Sequence, residues 1–273
     1  RVWNGIVESN GQVSNESPNL AAAFFAVPDM DAGQTGSGLI CEWQQQSGTL
    51  IAGGDSSSIR CWDLASEKCS RVLETETEAC VTALTTAWDE EKGYTPTGYQ
   101  GLGPSIIVAG HGDGTLKVFD IRAPNPAASL GGRRPRSNTF KEHRSWIVDT
   151  SFTSYGGRFE IVSGSVAGDI RAWDLRLSSS LRTLDVQRSP MTALAVHKQI
   201  PIAATGSQAQ FIKIVTMEGE TLQMARFHEE MPGQHRIGPV SCLEFHKHKL
   251  VLAAGASNSF VSIYKPKFPL RSQ

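Results

Sequence analysis

The sequence predicts an all-β protein built from repeated small sheets, and three observations support this fold class. A short phrase recurs along the 273 residues: a turn of small residues, then an apolar, charged, apolar and aromatic run that usually closes on Asp. Short runs rich in Val, Ile and aromatic residues precede each phrase, and Gly, Pro, Ser and Asn bound them, as is typical of strands. No segment of helical length carries an apolar stripe with the period of an amphipathic helix.

The spacing of the phrase indicates one architecture. The closing residues, in chain order, are Trp3, Trp62-Asp63, Phe119-Asp120, Trp173-Asp174, Val215 and Tyr264. They lie 42 to 59 residues apart. A WD repeat has a period of about 40–45 residues and forms one four-stranded blade of a β-propeller. The longer gaps are explained by polar or Pro-rich insertions at residues 8–18, 89–103 and 123–139, which we expect to be surface loops.

We therefore expect an N-terminally incomplete WD-repeat β-propeller over residues 1–266, followed by a tail over residues 267–273. Five units are complete between about Ala21 and Tyr264, and residues 1–3 supply one strand of a sixth. Because a propeller closes so that no long strand edge stays unpaired, we expect seven blades in the intact domain, with further repeats before Arg1. Each phrase should form the fourth strand of its blade, with its closing aromatic residue at the inner edge.

The closing residues are expected to have structural roles. Large aromatic side chains fill the space between blades, and their polar edges find hydrogen-bond partners there. The residues assigned to this role are Trp62, Asp63, Phe119, Asp120, His143, Trp173, Asp174 and Tyr264. His143 follows Glu142 in the Gly-His position of a WD unit, where His typically joins a buried hydrogen-bond network with Ser or Thr and Asp. A contact with a partner is the alternative for His143.

Composition excludes several functional classes. The net charge of −1 gives no bulk attraction to nucleic acid, and no run of 18 apolar residues could insert into a membrane. No signal peptide is visible, and the five Cys residues form no Cys-x-x-Cys pair. These features favour reduced, buried thiols in a cytoplasmic protein.

No catalytic, cofactor or metal motif is present, so we expect a protein that is not an enzyme. The run Gly110–Gly114 resembles a phosphate loop, but the Lys-Ser/Thr pair is missing and a strand follows, which favours a hairpin turn. His246 and His248 suggest a metal ligand pair. Phe245-His246-Lys247 matches Val196-His197-Lys198 in repeat position, which favours turn chemistry instead.

The best candidates for function lie on the insertion at residues 123–139. Arg133, Arg134 and Arg136 could pair with phosphate or carboxylate groups of a partner. The run also resembles a basic-directed kinase site at Ser137, where phosphate would add nearly two negative charges beside the arginines. The alternative is a solvated loop without a binding role.

Beyond the generic repeat, several stretches resemble the carboxyl-terminal propeller of the raptor family. They are residues 25–30, 36–50, 53–55, 59–63, 107–114, 141–148, 162–171 and 238–246, and the Glu42-Trp43-Gln44 block is the most discriminating. The resemblance covers about residues 20–266. The insertions at 89–103 and 123–139 depart from animal members of the family, which leaves partner sites on those loops in doubt.

The resemblance implies a non-catalytic scaffold of TOR complex 1. Its implied partners are subunits of the TOR kinase complex and, through other parts of the scaffold, substrates and small GTPases, with recruitment to the lysosome or vacuole surface. A WD-repeat adaptor of another complex, which reads a peptide tail or degron, is the alternative. We expect no cofactor, no metal and no nucleic acid.

Overall fold

A computed structural model describes residues 2–3, 20–22, 38–44, 47–86, 106–121, 137–153, 160–226 and 236–266. Regular structure in these residues consists of 21 β-strands, and no helix is found among them. The strands form antiparallel sheets in which consecutive strands are neighbours: four sheets have four strands, one has three and one has two. The predicted all-β class is confirmed.

The strands have the following bounds. A two-stranded sheet contains β1 (Val2–Trp3) and β2 (Leu20–Ala22). Sheet I contains β3 (Leu39–Gln44), β4 (Thr49–Gly54), β5 (Ser58–Asp63) and β6 (Lys68–Glu74). Sheet II contains β7 (Val81–Thr86), β8 (Ile106–His111), β9 (Thr115–Asp120) and β10 (Ser137–Lys141).

The remaining sheets repeat this order. Sheet III contains β11 (Ile147–Thr153), β12 (Glu160–Ser165), β13 (Asp169–Trp173) and β14 (Ser180–Asp185). Sheet IV contains β15 (Met191–Val196), β16 (Ile202–Ser207), β17 (Phe211–Thr216) and β18 (Thr221–Ala225). Sheet V contains β19 (Val240–Phe245), β20 (Leu252–Ala256) and β21 (Val261–Tyr264).

The recurring phrase forms the third strand of sheets I to V, which corrects the expectation of a fourth strand. In sheets I to IV a further strand follows the phrase and pairs with it: β6, β10, β14 and β18. These outer strands are largely exposed where their side chains are described, so they lack the apolar pattern that marks a buried strand. In sheet V the described residues supply three strands.

The first strands of successive sheets contact one another: β3 with β7, β7 with β11, β11 with β15, and β15 with β19. The five sheets are therefore arranged like propeller blades around their first strands. This arrangement corrects the prediction that the closing aromatic residues mark the inner edges. Trp62, Phe119 and Trp173 are instead buried on third strands.

The hydrophobic core lies in the seams between neighbouring sheets. Between sheets II and III, for example, Val118 and Phe140 pack in one cluster with Ile147 and Trp173, and the Phe140 and Trp173 rings are 5.0 Å apart. Corresponding clusters join sheets I and II, III and IV, and IV and V. Each sheet thus buries its apolar faces only against its neighbours.

Glycines on the second strands of sheets II, III and IV allow the next sheet to approach. A Cβ atom added at Gly110 would lie 2.5 Å from Ile147 Cγ2, and one added at Gly206 would lie 2.5 Å from Val240 Cγ1. Real Cβ atoms do not approach so closely, so any side chain at these two positions would force the sheets apart. At Gly53, in contrast, the nearest atom is Val81 Cγ1 at 3.4 Å, an ordinary contact.

Three further expectations need correction. Val2–Trp3 is paired with Leu20–Ala22, so the sixth unit contributes two strands and the next unit begins after Ala22. Ser137–Lys141 forms a strand and does not belong to the preceding insertion. Only Cys61 is buried, whereas Cys80 is partly buried and three thiols are exposed: Cys41, Cys69 and Cys242.

Replacing Gly110 by Ala should lower the free energy of unfolding by about 1 to 3 kcal/mol, because the new methyl group overpacks the seam against Ile147. Gly53→Ala is the matched control at the same repeat position. It should leave stability unchanged or raise it by about 0.4 to 1 kcal/mol, since it restricts the unfolded chain. Urea denaturation measures both, and equal effects would contradict the seam argument.

Candidate functional site

A buried hydrogen-bond network links four side chains in sheet III. His143 lies in the connection before β11, Ser163 is central in β12, and Asp169 and Trp173 begin and end β13. The sequence predicted such a network for His143. The turn phrase Ser163 to Asp169 positions two of its members, because it places a hydroxyl and a carboxylate on adjacent strands.

The imidazole of His143 is the centre of the network. Its Nδ1 is 2.8 Å from Asp169 Oδ2, and its Nε2 is 2.7 Å from Ser163 Oγ. The indole Nε1 of Trp173 donates to the same Ser163 Oγ at 2.8 Å. A proton on Nδ1 satisfies every partner: His143 donates to the carboxylate, and the Ser163 hydroxyl accepts from the indole and donates to Nε2.

A charged layer surrounds Asp169. Ser165 Oγ donates to Oδ1, and Arg171 Nε donates to Oδ2 at 3.1 Å. Burial raises the pKa of Asp169, but the hydrogen bonds from His143, Ser165 and Arg171 outweigh it and hold that pKa well below its usual value. Arg171 also pairs with Glu142, so the connection before β11 is fixed to the third strand.

The Ser163–His143–Asp169 set has the connectivity of a hydrolase triad, yet its environment is that of a core. Ser163 is fully buried, and the His143 side chain is also 0% exposed. A nucleophile must reach its substrate, and its hydroxyl must be free to attack. Here the hydroxyl is enclosed and already bonded to Trp173, so the arrangement stabilises the blade and is closed to substrate.

Sheet IV contains a reduced version of this network. Gln187 lies four residues before the first strand, as His143 does, and its Oε1 accepts from Thr205 Oγ1 at 2.9 Å. Val215 occupies the position of Trp173, so the indole donor is missing. The Gln187 amide and the Thr205 hydroxyl take the places of the imidazole and the serine hydroxyl.

Three carboxylates from first strands lie close enough to interact: Glu42 on β3, Asp149 on β11 and Glu244 on β19. Burial, together with the charges of Glu244 and Glu42, raises the pKa of Asp149 to about 7, although the backbone N–H of Thr150 opposes this rise. Burial also raises the pKa of Glu244. Like charges held in a poorly solvated place favour the neutral acid.

The predicted partner loop lies mostly outside the described residues. Arg133, Arg134 and Arg136 are among the undescribed residues, and Ser137 opens β10 opposite Phe119. Their role in partner binding and the phosphorylation of Ser137 stay predictions. Of the predicted blade residues, Asp174 is buried, whereas Asp63, Asp120 and Tyr264 are half-buried.

His246 and His248 belong to a turn, as their repeat position indicated. The His248 N–H donates to His246 Nδ1 at 3.0 Å. No group of three or more candidate metal ligands occurs in the part of the chain that the structure describes. In the same part, no helix is long and apolar enough to cross a membrane.

The predictions from the sequence did not single out two residues of the network, Ser163 and Asp169, or Asp149 outside it. A sequence pattern does mark Ser163 and Asp169. Of the two Trp-Asp phrases, only Trp173-Asp174 has a His at the Gly-His position before it, and in that unit a Ser lies on the second strand and an Asp begins the third. Nothing local in the sequence marks Asp149, because its environment is formed by sheets I and V.

The sheets, their seams and the buried network define a WD-repeat β-propeller. No family model matches the sequence. The chain is 36% identical over 265 residues to Regulatory-associated protein of TOR 1 of Arabidopsis thaliana and 33% identical over 261 residues to Target of rapamycin complex 1 subunit mip1 of Schizosaccharomyces pombe. These matches cover 97% and 95% of this chain and 18% of each relative.

A solved structure is similar as well. Raptor of Chaetomium thermophilum superposes with a TM-score of 0.68 at 26% identity, over 85% of this chain and 20% of that chain. A chain of the Mitotic Checkpoint Complex superposes with a TM-score of 0.62 at 17% identity, which shows the fold alone. The chain belongs to the raptor family, and the predicted recognition is confirmed.

Replacing Ser163 by Ala should lower the free energy of unfolding by about 2 to 4 kcal/mol, because His143 Nε2 and Trp173 Nε1 would both lose their buried partner. Ser178→Ala is the control. It removes an exposed hydroxyl and should change stability by less than about 0.5 kcal/mol. Chemical denaturation compares the two variants. An unchanged free energy of unfolding in Ser163→Ala would show that the network does not stabilise the protein.

Replacing Asp149 by Asn should stabilise the protein most at pH 8, and the gain should shrink steadily as pH falls from 7 toward 4. The folded pKa, about 7, exceeds the unfolded value of 3.8, so the folded protein binds the extra proton between these values and gains stability as pH falls through 7. Thermal unfolding from pH 5 to 8 tests this. Glu74→Gln on an exposed strand is the control, and a pH-independent gain in Asp149→Asn would refute the argument.

Proposed function

We propose that this propeller is a non-catalytic scaffold segment of a TOR complex 1. The observation that carries the proposal is the similarity over 95% or more of the chain to proteins named as regulatory or complex subunits, one of them a subunit of Target of rapamycin complex 1. The chain spans 18% of the length of these relatives, so the segment would act within a larger scaffold.

A positioning role agrees with the physical properties of the fold. Seams of interlocking sheets and the buried network of sheet III make the blades rigid, and rigid blades hold their connecting loops at fixed distances. Partners bound to one scaffold meet at a high effective concentration without any chemistry by the scaffold itself. In this proposal the segment helps to position the TOR kinase, its substrates and small GTPases.

Two features support a role other than catalysis. The triad-like set in sheet III is closed to solvent, as described above. The relatives are named as regulatory proteins and complex subunits. Within the same proposal the protein lies in the cytoplasm and is recruited to the surface of the lysosome or vacuole.

Purification of the intact, tagged protein from its native cells should recover a TOR kinase, identified by mass spectrometry. A Gly110→Val variant, which wedges two sheets apart, should recover less of the complex, whereas Gly53→Ala should recover the same amount. Recovery of a ubiquitin ligase or chromatin complex without TOR kinase would contradict the scaffold proposal and favour an adaptor of another complex.

A further inference from the structure

Exposed basic and apolar side chains form a rim over one end of sheets III and IV. We call this surface the basic rim and define it by five residues: Lys141, Arg144, Trp146, Arg188 and Pro190. All five are exposed. Lys141 ends β10, and the other four lie in the β10–β11 and β14–β15 connections. These connections enter the first strands of successive sheets and therefore lie at the same end of the propeller.

Backbone hydrogen bonds tie the two connections together. Val166, in the β12–β13 turn, donates its N–H to the carbonyl of Trp146 at 2.9 Å. The carbonyl of Val166 accepts from the N–H of Met191, directly after Pro190, at 3.0 Å. The rim is thus a continuous, ordered surface that crosses the seam between sheets III and IV.

Trp146 is held in place although it is 43% exposed. Its indole covers Gly112 of sheet II, where an added Cβ would lie 3.4 Å from Trp146 Cε2 and 3.1 Å from Cys80 Sγ. The Gly112 N–H in turn donates to the Cys80 carbonyl at 3.0 Å. A fixed aromatic ring with a free face loses little conformational entropy on binding, and such rings are frequent anchors of protein interfaces.

Exposed positive charge lies beside this indole, although Asp113 follows Gly112 in the turn that the indole covers. Arg144 and Arg188 pair with no carboxylate among the residues that the structure describes. Lys141 Nζ is 4.0 Å from Asp113 Oδ2, which is a long distance for an ion pair. The nearby carboxylates Glu142 and Asp169 are already engaged by Arg171. A partner can therefore supply the missing negative charge and form bidentate contacts with the guanidinium groups.

We propose that the basic rim binds an acidic, extended segment of a partner protein, with an apolar side chain on Trp146 and carboxylates beside Arg144 and Arg188. The site is small and combines one aromatic face with two separated guanidinium groups, which suits a peptide better than a bilayer. The overall charge of −1 also gives no general attraction to an anionic membrane. The inference rests on the proposed scaffold role, because a scaffold binds its partners through such surfaces.

The test measures fluorescence anisotropy of a fluorescein-labelled peptide, in which Glu and Asp flank a central Leu and Phe, with the purified intact protein. Binding should weaken when NaCl is raised from about 0.05 to 0.5 M, because salt screens exposed charges. It should also disappear when every acid in the peptide is replaced by its amide. Vesicles of phosphatidylcholine with and without phosphatidylserine form a second arm.

Trp146→Ala and the double variant Arg144→Glu, Arg188→Glu should each weaken peptide binding by about tenfold or more. Trp43→Ala, which removes an equally exposed indole on β3, and Lys68→Glu, at the other end of sheet I, should leave binding unchanged. If Trp146→Ala is unfolded by circular dichroism, the double variant decides alone.

Absence of binding to the wild-type chain, or equal losses in the control variants, would overturn the proposal. Binding to anionic vesicles but not to the peptide, lost in the same variants, would assign the rim to a membrane and overturn it too. The peptide assay contains no TOR kinase, so its failure is distinguishable from failure of the co-purification.

Discussion

The propeller depends on how closely one sheet can approach the next. The second strands carry glycine where the following sheet packs, and at Gly110 and Gly206 even a methyl group would collide with Ile147 and Val240. The apolar clusters accordingly belong to seams shared by two sheets and not to single sheets. A sheet removed from its neighbours would lose both faces of its core, so stability is coupled from each sheet to the next.

The buried polar interactions that add to this packing differ between sheets III and IV. In sheet III an imidazole, a hydroxyl, a carboxylate and an indole join the entry segment to two strands, and Arg171 with Glu142 extends the network outward. Sheet IV replaces the imidazole by the Gln187 amide and lacks the indole. A satisfied buried network stabilises its surroundings cooperatively, so the two sheets are held by different polar contacts around similar apolar seams.

The sequence was informative where a feature repeats and silent where distant segments create it. Turn phrases and apolar runs located the first three strands of each sheet, and the His143 position indicated a network. The exposed fourth strands have no such pattern, as in Thr221–Ala225, where four of five residues are exposed. β-Bulges between Ile147 and Asp149, and at the matching points of β7, β15 and β19, shift the alternation by one residue. The raised pKa of Asp149 and the fixed position of Trp146 arise from contacts with other sheets, and no local sequence pattern predicts such contacts.

The enclosed set of Ser163, His143 and Asp169 has a consequence for how protein functions are assigned from coordinates. Its interatomic distances alone have the connectivity of a serine hydrolase triad. Two criteria separate this structural network from the triad of an esterase or protease. Its serine hydroxyl is inaccessible to solvent, and that hydroxyl already accepts a hydrogen bond from the indole of Trp173.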